Sequence, residues 1–163
     1  MKKAILSDIH DNLANLRKAV GWIKKEGIET IIICGDIGRP ETLKEGLGDF
    51  SGKVFLCMGN LDTEDKESFK ISDNYSVFGD FGEAVLGNKK TAFSHFPEIA
   101  EDLAKSGKYD LVFYGHTHKP WEAKIGNCRL VNPGNITGTF YKPSFAVYDP
   151  GSDSLDLKIL ELI

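Results

Sequence analysis

Ser7-Asp8-Ile9-His10-Asp11-Asn12 follows directly on the apolar run Ala4-Ile5-Leu6. A carboxylate, an imidazole, a second carboxylate and an amide lie together there, after what reads as a buried strand and before a helix. In open α/β sheets the polar groups that do chemistry sit outside the carboxyl ends of the strands. Asp8 and His10, two apart in extended chain, point the same way. The hexapeptide therefore reads as a place to hold a metal. It reads equally as a strand-end loop whose Asp or Asn caps the next helix, and the rest of the chain has to decide.

Downstream, Leu13, Leu16, Val20 and Ile23 recur at helical spacing with Gly27 behind them, which predicts an amphipathic helix with a stop. Thr30-Ile31-Ile32-Ile33-Cys34 is a continuous β-branched run ending in Gly35-Asp36, as expected of a strand buried on both faces. A short helix over Glu41 to Leu47 leads to Val54-Phe55-Leu56-Cys57-Met58 and then Gly59-Asn60-Leu61-Asp62. Three buried strands thus end in Asp, Asp and Asn. From Tyr75 to Phe96 the runs shorten around a Gly87-Asn88 turn, which predicts a hairpin and the start of a second sheet. A helix from about Glu98 to Lys105, with Ile99 and Leu103 inward, follows Ser94-His95-Phe96-Pro97, and the strand Asp110 to Tyr114 ends in Gly115-His116-Thr117-His118. The remainder reads as antiparallel strands, the last with Leu155, Leu157 and Ile159 on one side. The expected architecture is α/β (α+β in some schemes): a two-sheet β-sandwich of mixed parallel and antiparallel strands, parallel in the N-terminal half, flanked by helices.

A length of 163 residues suits one domain spanning 1–163, with 41% hydrophobic and 27% charged residues, an ordinary globular composition. A net charge of −4 gives no basic footprint, so polymeric nucleic acid is not expected as a partner. No run is long and apolar enough for a membrane span. Met1-Lys2-Lys3 leads into a strand too short for a secretory signal, which predicts a cytoplasmic protein. Cys34, Cys57 and Cys128 lack metal-site or redox spacing and lie in or beside apolar runs, where thiols serve as small hydrophobes.

The four histidines, His10, His95, His116 and His118, all lie in loops just past apolar runs. With Asp8, Asp36 and Asn60 they make a set of nitrogen and oxygen donors without thiolate, which suits Mn²⁺, Fe²⁺, Ni²⁺ or Zn²⁺ better than a structural zinc or an iron–sulfur cluster. Such a set exceeds the needs of one catalytic ion. Two ions about 3.5–4 Å apart, sharing one carboxylate, would use it and leave a position for solvent.

In its order of motifs, Asp8-x-His10, Gly35-Asp36, Gly59-Asn60-x-Asp62, His95 and Gly115-His116-x-His118, the chain resembles the calcineurin-like metallophosphoesterases. Its length resembles their small phosphodiesterase branch, to which the retromer scaffold subunit is also related, and Asn132-Pro133-Gly134 fits that branch too. The resemblance implies that Asp8, His10 and His118 bind one metal, that Asn60, His95 and His116 bind a second, and that Asp36 bridges. It implies a β-sandwich with a dinuclear centre at its loop edge, Mn²⁺ being the expected ion ahead of Ni²⁺, Fe²⁺ or Zn²⁺. The expected activity is hydrolysis of a small phosphodiester by a bridging hydroxide, in a protein that could also form homo-oligomers.

Two positions depart from the pattern. Many members have His where this chain has Leu61, an imidazole thought to protonate the leaving group, and many have Gly where Phe96 follows His95. Without its imidazole, Asp62 is left to hydrogen-bond a ligand or cap the next helix. Asn12 is placed to contact phosphate, or to cap its helix. Lacking an acid at Leu61, the site should favour diesters over alkyl monoesters. The competing reading is a protein-binding scaffold with a vestigial metal site, which leaves the retention of the whole donor set unexplained.

Overall fold

In the computed structural model, which describes residues 1–163, Ala4-Ile5-Leu6 lies at the centre of the first of two sheets. This strand, β1 (Lys3–Leu6), pairs parallel with β2 (Thr30–Cys34), which pairs parallel with β3 (Lys53–Cys57). Every residue of β2 is buried, as its β-branched composition demands. Helix α1 (Leu13–Lys25) joins β1 to β2, and α2 (Pro40–Leu47) joins β2 to β3. The first helix buries Leu16, Ala19, Val20 and Ile23 against the sheet. It ends in paired hydrogen bonds, Ile28 N–H to the Ile23 carbonyl and Gly27 N–H to that of Lys24, each 3.1 Å. That is a Schellman stop with its apolar contact.

The section after β3 departs from expectation. A 3₁₀ turn at Lys66–Phe69 buries Phe69, and β4 (Tyr75–Val77) then pairs parallel with β3. Tyr75 thus belongs to the first sheet, and the second begins at β5 (Phe81–Leu86), which forms the expected hairpin with β6 (Lys89–Ser94). Helix α3 (Pro97–Lys105) follows, then β7 (Leu111–Phe113), β8 (Trp121–Ile125) and β9 (Cys128–Asn132). The second sheet runs β5-β6-β7-β9-β8, and its interior pairs β6/β7 and β7/β9 are parallel, so the C-terminal half is less antiparallel than its short runs suggest. β10 (Ser144–Asp149) and β11 (Ser154–Ile159) return to the first sheet, in the order β11-β10-β1-β2-β3-β4.

The sheets pack through Ile5, Ile32, Phe93, Phe113, Val131 and Tyr148, with Cys34 and Cys57 filling the gaps as buried free thiols. Helices α1 and α2 cover the outer face of the first sheet, and α3 that of the second. In α3 it is Ala100 and Ala104 that are buried, while Ile99 and Leu103 reach only half-burial at the flanks, because small residues let the helix lie close on the sheet. Leu157 alternates as predicted but stays exposed, since β11 is an edge strand with one neighbour.

Phe93 fills the space between the sheets and is fully buried. Phe93→Ala should cost about 3–5 kcal/mol in denaturant titration, the range for a truncated core aromatic. A loss under about 1 kcal/mol would mean that the inter-sheet core readily collapses onto the gap.

Candidate metal centre

Beyond β1 and β2 the two loops run side by side. Asp8 N–H donates to the Gly35 carbonyl (3.2 Å), Ile9 and His10 N–H to that of Asp36 (2.8 and 3.0 Å), and Asp11 N–H to that of Ile37 (3.0 Å). This clamp turns the side chains of Asp8 and Asp36 inward, leaving them 0% and 2% exposed. The loops after β3, β6 and β7 bring Asn60, His95, His116 and His118 to the same edge, so both sheets contribute. Asp8, His10, Asp36, His116 and His118 all have left-handed backbone, with φ between 48° and 69°. Asp and His tolerate that region, and its concentration in a few loops is typical of functional sites.

The donor atoms fall into two neighbourhoods that share Asp36. On the buried side, His10 Nε2 lies 3.6 Å from Asp8 Oδ1 and 3.4 Å from Asp36 Oδ2, and His118 Nε2 lies 3.3 Å from Asp8 Oδ1. On the other side, His95 Nε2 lies 3.4 Å from Asp36 Oδ1, 3.1 Å from Asn60 Oδ1 and 3.2 Å from His116 Nδ1. Asn60 and His116 are exposed, so this half faces solvent.

The second nitrogens of two rings are fixed by backbone. His95 Nδ1 donates to the Cys34 carbonyl (2.9 Å) and His118 Nδ1 to that of Thr139 (3.2 Å). A neutral ring that donates from Nδ1 presents a lone pair at Nε2, and in both residues that lone pair faces a carboxylate oxygen. Only a proton or a metal cation between them reconciles such a contact. His10 Nε2 is buried and makes no hydrogen bond at all. Histidine ligands characteristically donate their other N–H to a carbonyl, so the donor set and its orientation fit a divalent ion.

Asp36, then Asp8, push His10 up to about 9, and Asp8 raises His118. Burial pushes Asp8 upward, but His10 and His118 more than offset it and hold the carboxyl down at about 2. Burial likewise opposes ionisation of Asp36, which the His10 imidazole and the Leu61 N–H (2.9 Å) outweigh.

Asp62 braces the centre. Its Oδ1 accepts from Ile37 and Gly38 N–H (2.7 and 2.9 Å) and its Oδ2 from Gly59 N–H (2.7 Å), tying the Asp36 loop to the Asn60 loop. Burial raises its pKa despite these donors. Asn12 caps α1 by accepting from Asn15 N–H (3.1 Å), and its amide donates to the Thr137 carbonyl (3.0 Å). Asp11 turns away to Arg39 N–H (2.9 Å) and the Thr42 hydroxyl. The carbonyls of Cys34 and Thr139, which set two imidazoles, were not accessible to sequence reasoning, since any residue supplies one.

Residues 1–153 match the family of calcineurin-like phosphoesterase superfamily domains, and the chain belongs to that family, whose members use divalent metal ions. It is 34% identical over 143 residues to phosphodiesterase MJ0936 of Methanocaldococcus jannaschii, covering 85% of this chain and 86% of that protein. It is 25% identical over 150 residues to phosphodiesterase YfcE of Escherichia coli, covering 84% and 80%. Among solved structures, an archaeal phosphodiesterase superposes with a TM-score of 0.89 at 31% identity, covering 98% of this chain and 99% of that one. Vps29 of Chaetomium thermophilum shares the fold, with a TM-score of 0.73 at 16% identity and coverage of 98% and 95%.

Asp62→Ala removes the acceptor for three backbone N–H groups. It should cost about 2–4 kcal/mol in urea unfolding and lower metal occupancy in elemental analysis, while Asp62→Asn should retain part of both. Equal stability of wild type and Asp62→Ala would contradict the bracing role.

Proposed function

We propose that the chain hydrolyses small phosphodiesters at a centre of two divalent ions, with Asp8, His10 and His118 toward one ion, Asn60, His95 and His116 toward the other, and Asp36 between them. The observation that carries this reading is the double engagement of Asp36, whose Oδ2 and Oδ1 face His10 and His95, each at 3.4 Å. The phosphodiesterase names of two relatives support the diester as substrate. When bound, such ions supply Lewis acidity toward phosphoryl oxygens and acidify water to near neutrality. We take Mn²⁺ as the working ion ahead of Ni²⁺, Fe²⁺ or Zn²⁺ on donor type, and the cytoplasm as its location.

The chain's own residues do the rest. The carbonyls of Cys34 and Thr139 keep His95 and His118 in one tautomer and orientation. Asp62 holds the two loops in register. Asn12 has one amide N–H beyond the bond to Thr137, which we assign to phosphate. Leu61 is 44% exposed beside Asp36 and brings no proton donor to the leaving group. The scaffold alternative gains nothing from the geometry, because a vestigial centre has no need of two imidazoles oriented by backbone carbonyls.

Two sets of measurements bear on this. Asp36→Asn should weaken uptake of both ions together, whereas His118→Ala should mainly loosen one, as read by metal titration with elemental analysis. Uptake of two equivalents by Asp36→Asn at wild-type affinity would exclude the bridge. Leu61 is 44% exposed, and Leu61→His should raise turnover on diesters with basic leaving groups by about tenfold, with little gain on activated aryl diesters. Rate plotted against leaving-group pKa for both proteins is the test, and equal slopes would show that residue 61 does not reach the leaving group.

A further inference from the structure

Outside glycine, eight residues have left-handed backbone, and six of them, Asp8, His10, Asp11, Asp36, His116 and His118, lie in the loops of the centre. Of the other two, Asp153 is a turn residue of a type that tolerates this region, and Phe140, with φ 67°, is a bulky aromatic that does not. The strain at Phe140 is held in place by its neighbours. Buried Asn135 donates from its amide to the carbonyls of His118 (3.1 Å) and Tyr141 (3.5 Å) and accepts from Gly138 N–H (2.5 Å). The Thr139 carbonyl accepts a hydrogen bond from His118 Nδ1–H. Phe140 is thus pinned on both sides to the loop that orients His118.

The residue is nonetheless 89% exposed, with its ring centroid 5.8 Å from that of His118 and tilted by 53°. Phe96, the other aromatic at the centre, is different. It is half-buried and packs edge-on against His95 at 5.1 Å, with His116 6.2 Å away. Phe96 is engaged in supporting imidazoles, whereas Phe140 keeps open ring surface in water beside a candidate ligand. Holding an aromatic in an unfavourable backbone conformation to expose it serves no packing purpose. Aromatic faces presented this way stack planar rings with little regard to ring identity.

We propose that Phe140 is a stacking platform for a planar ring esterified to the phosphate, an aryl group or a nucleobase, and so biases the site toward aromatic and nucleoside diesters. This rests on the reading of the centre as a phosphoester site. Phe140 acts on binding of the ring and takes no part in bond cleavage.

The test is calorimetric binding of adenosine 5′-monophosphate and of ribose 5-phosphate to the Mn²⁺-loaded protein, comparing wild type with Phe140→Ala, Phe140→Leu and Phe140→Trp. The ratio of the two affinities is the readout, since damage to the metal centre cancels in it. Wild type should favour the nucleotide by about tenfold, Phe140→Trp should keep that preference, and the Ala and Leu variants should fall to within about twofold of parity, in line with the worth of one base–aromatic stack. A wild-type ratio near one, or a ratio unchanged in Phe140→Ala, overturns the proposal. Retention in Phe140→Leu also overturns it, because apolar contact without stacking would then suffice. Inorganic phosphate binding and hydrolysis of bis(p-nitrophenyl) phosphate by the wild type report on the underlying reading. If both are absent, that reading fails and takes this one with it; if both are present without a nucleotide preference, this one fails alone.

Discussion

Two buried carboxylates, Asp8 and Asp36, impose the constraint on which the rest of the molecule depends. An ionised carboxylate removed from water is tolerated only when charge and hydrogen bonds replace its hydration. Here part of the replacement comes from the neighbouring His10 and part from the other sheet. Asp8 and Asp36 stand at the ends of strands in the first sheet, and His95, His116 and His118 stand at the ends of strands in the second. The two sheets must therefore pack in one register for the charges to be met, and the apolar layer around Phe93, Phe113 and Tyr148 sets that register. Core and site are two consequences of one interface.

The local elements were legible because their signals are local. β2 announces itself by five apolar or β-branched residues in a row, α1 by its periodicity, and the β5–β6 hairpin by Gly87-Asn88. What could not be read was partnership across distance. Ala4 pairs with Val147, and nothing in either segment specifies the other. Hence β10 and β11 were expected among the antiparallel strands of the C-terminal half, whereas they complete the first sheet. β4 misled for a related reason: three residues are too few to show whether a strand pairs parallel to β3 or joins the next hairpin.

At the centre, residue type carried the information that was readable. Histidines confined to strand-end loops pointed to one edge, and the fold does bring His10, His95, His116 and His118 together there. Asp11 shows the limit, since it sits beside His10 in sequence yet faces the α2 loop and not the donor cluster. The backbone carbonyls that orient the imidazoles leave no mark in sequence, and neither does the left-handed conformation of Phe140.

The glycines before Asn60 and His116 follow from the same crowding. A Cβ on Gly59 would collide with the Asp36 carboxylate, and one on Gly115 would meet the Ser7 hydroxyl, the Cys34 carbonyl at 2.8 Å and Asp8 Oδ2 at 2.9 Å. These strand ends approach one another more closely than side-chain-bearing backbone allows, and that approach puts donors from five loops within reach of two carboxylates. The cost is left-handed backbone at the donor residues themselves, of order 1–3 kcal/mol each. No single loop can sustain it. The inter-sheet core and the Asp62 brace hold all five loops at once, and the strained geometry rests on that shared support.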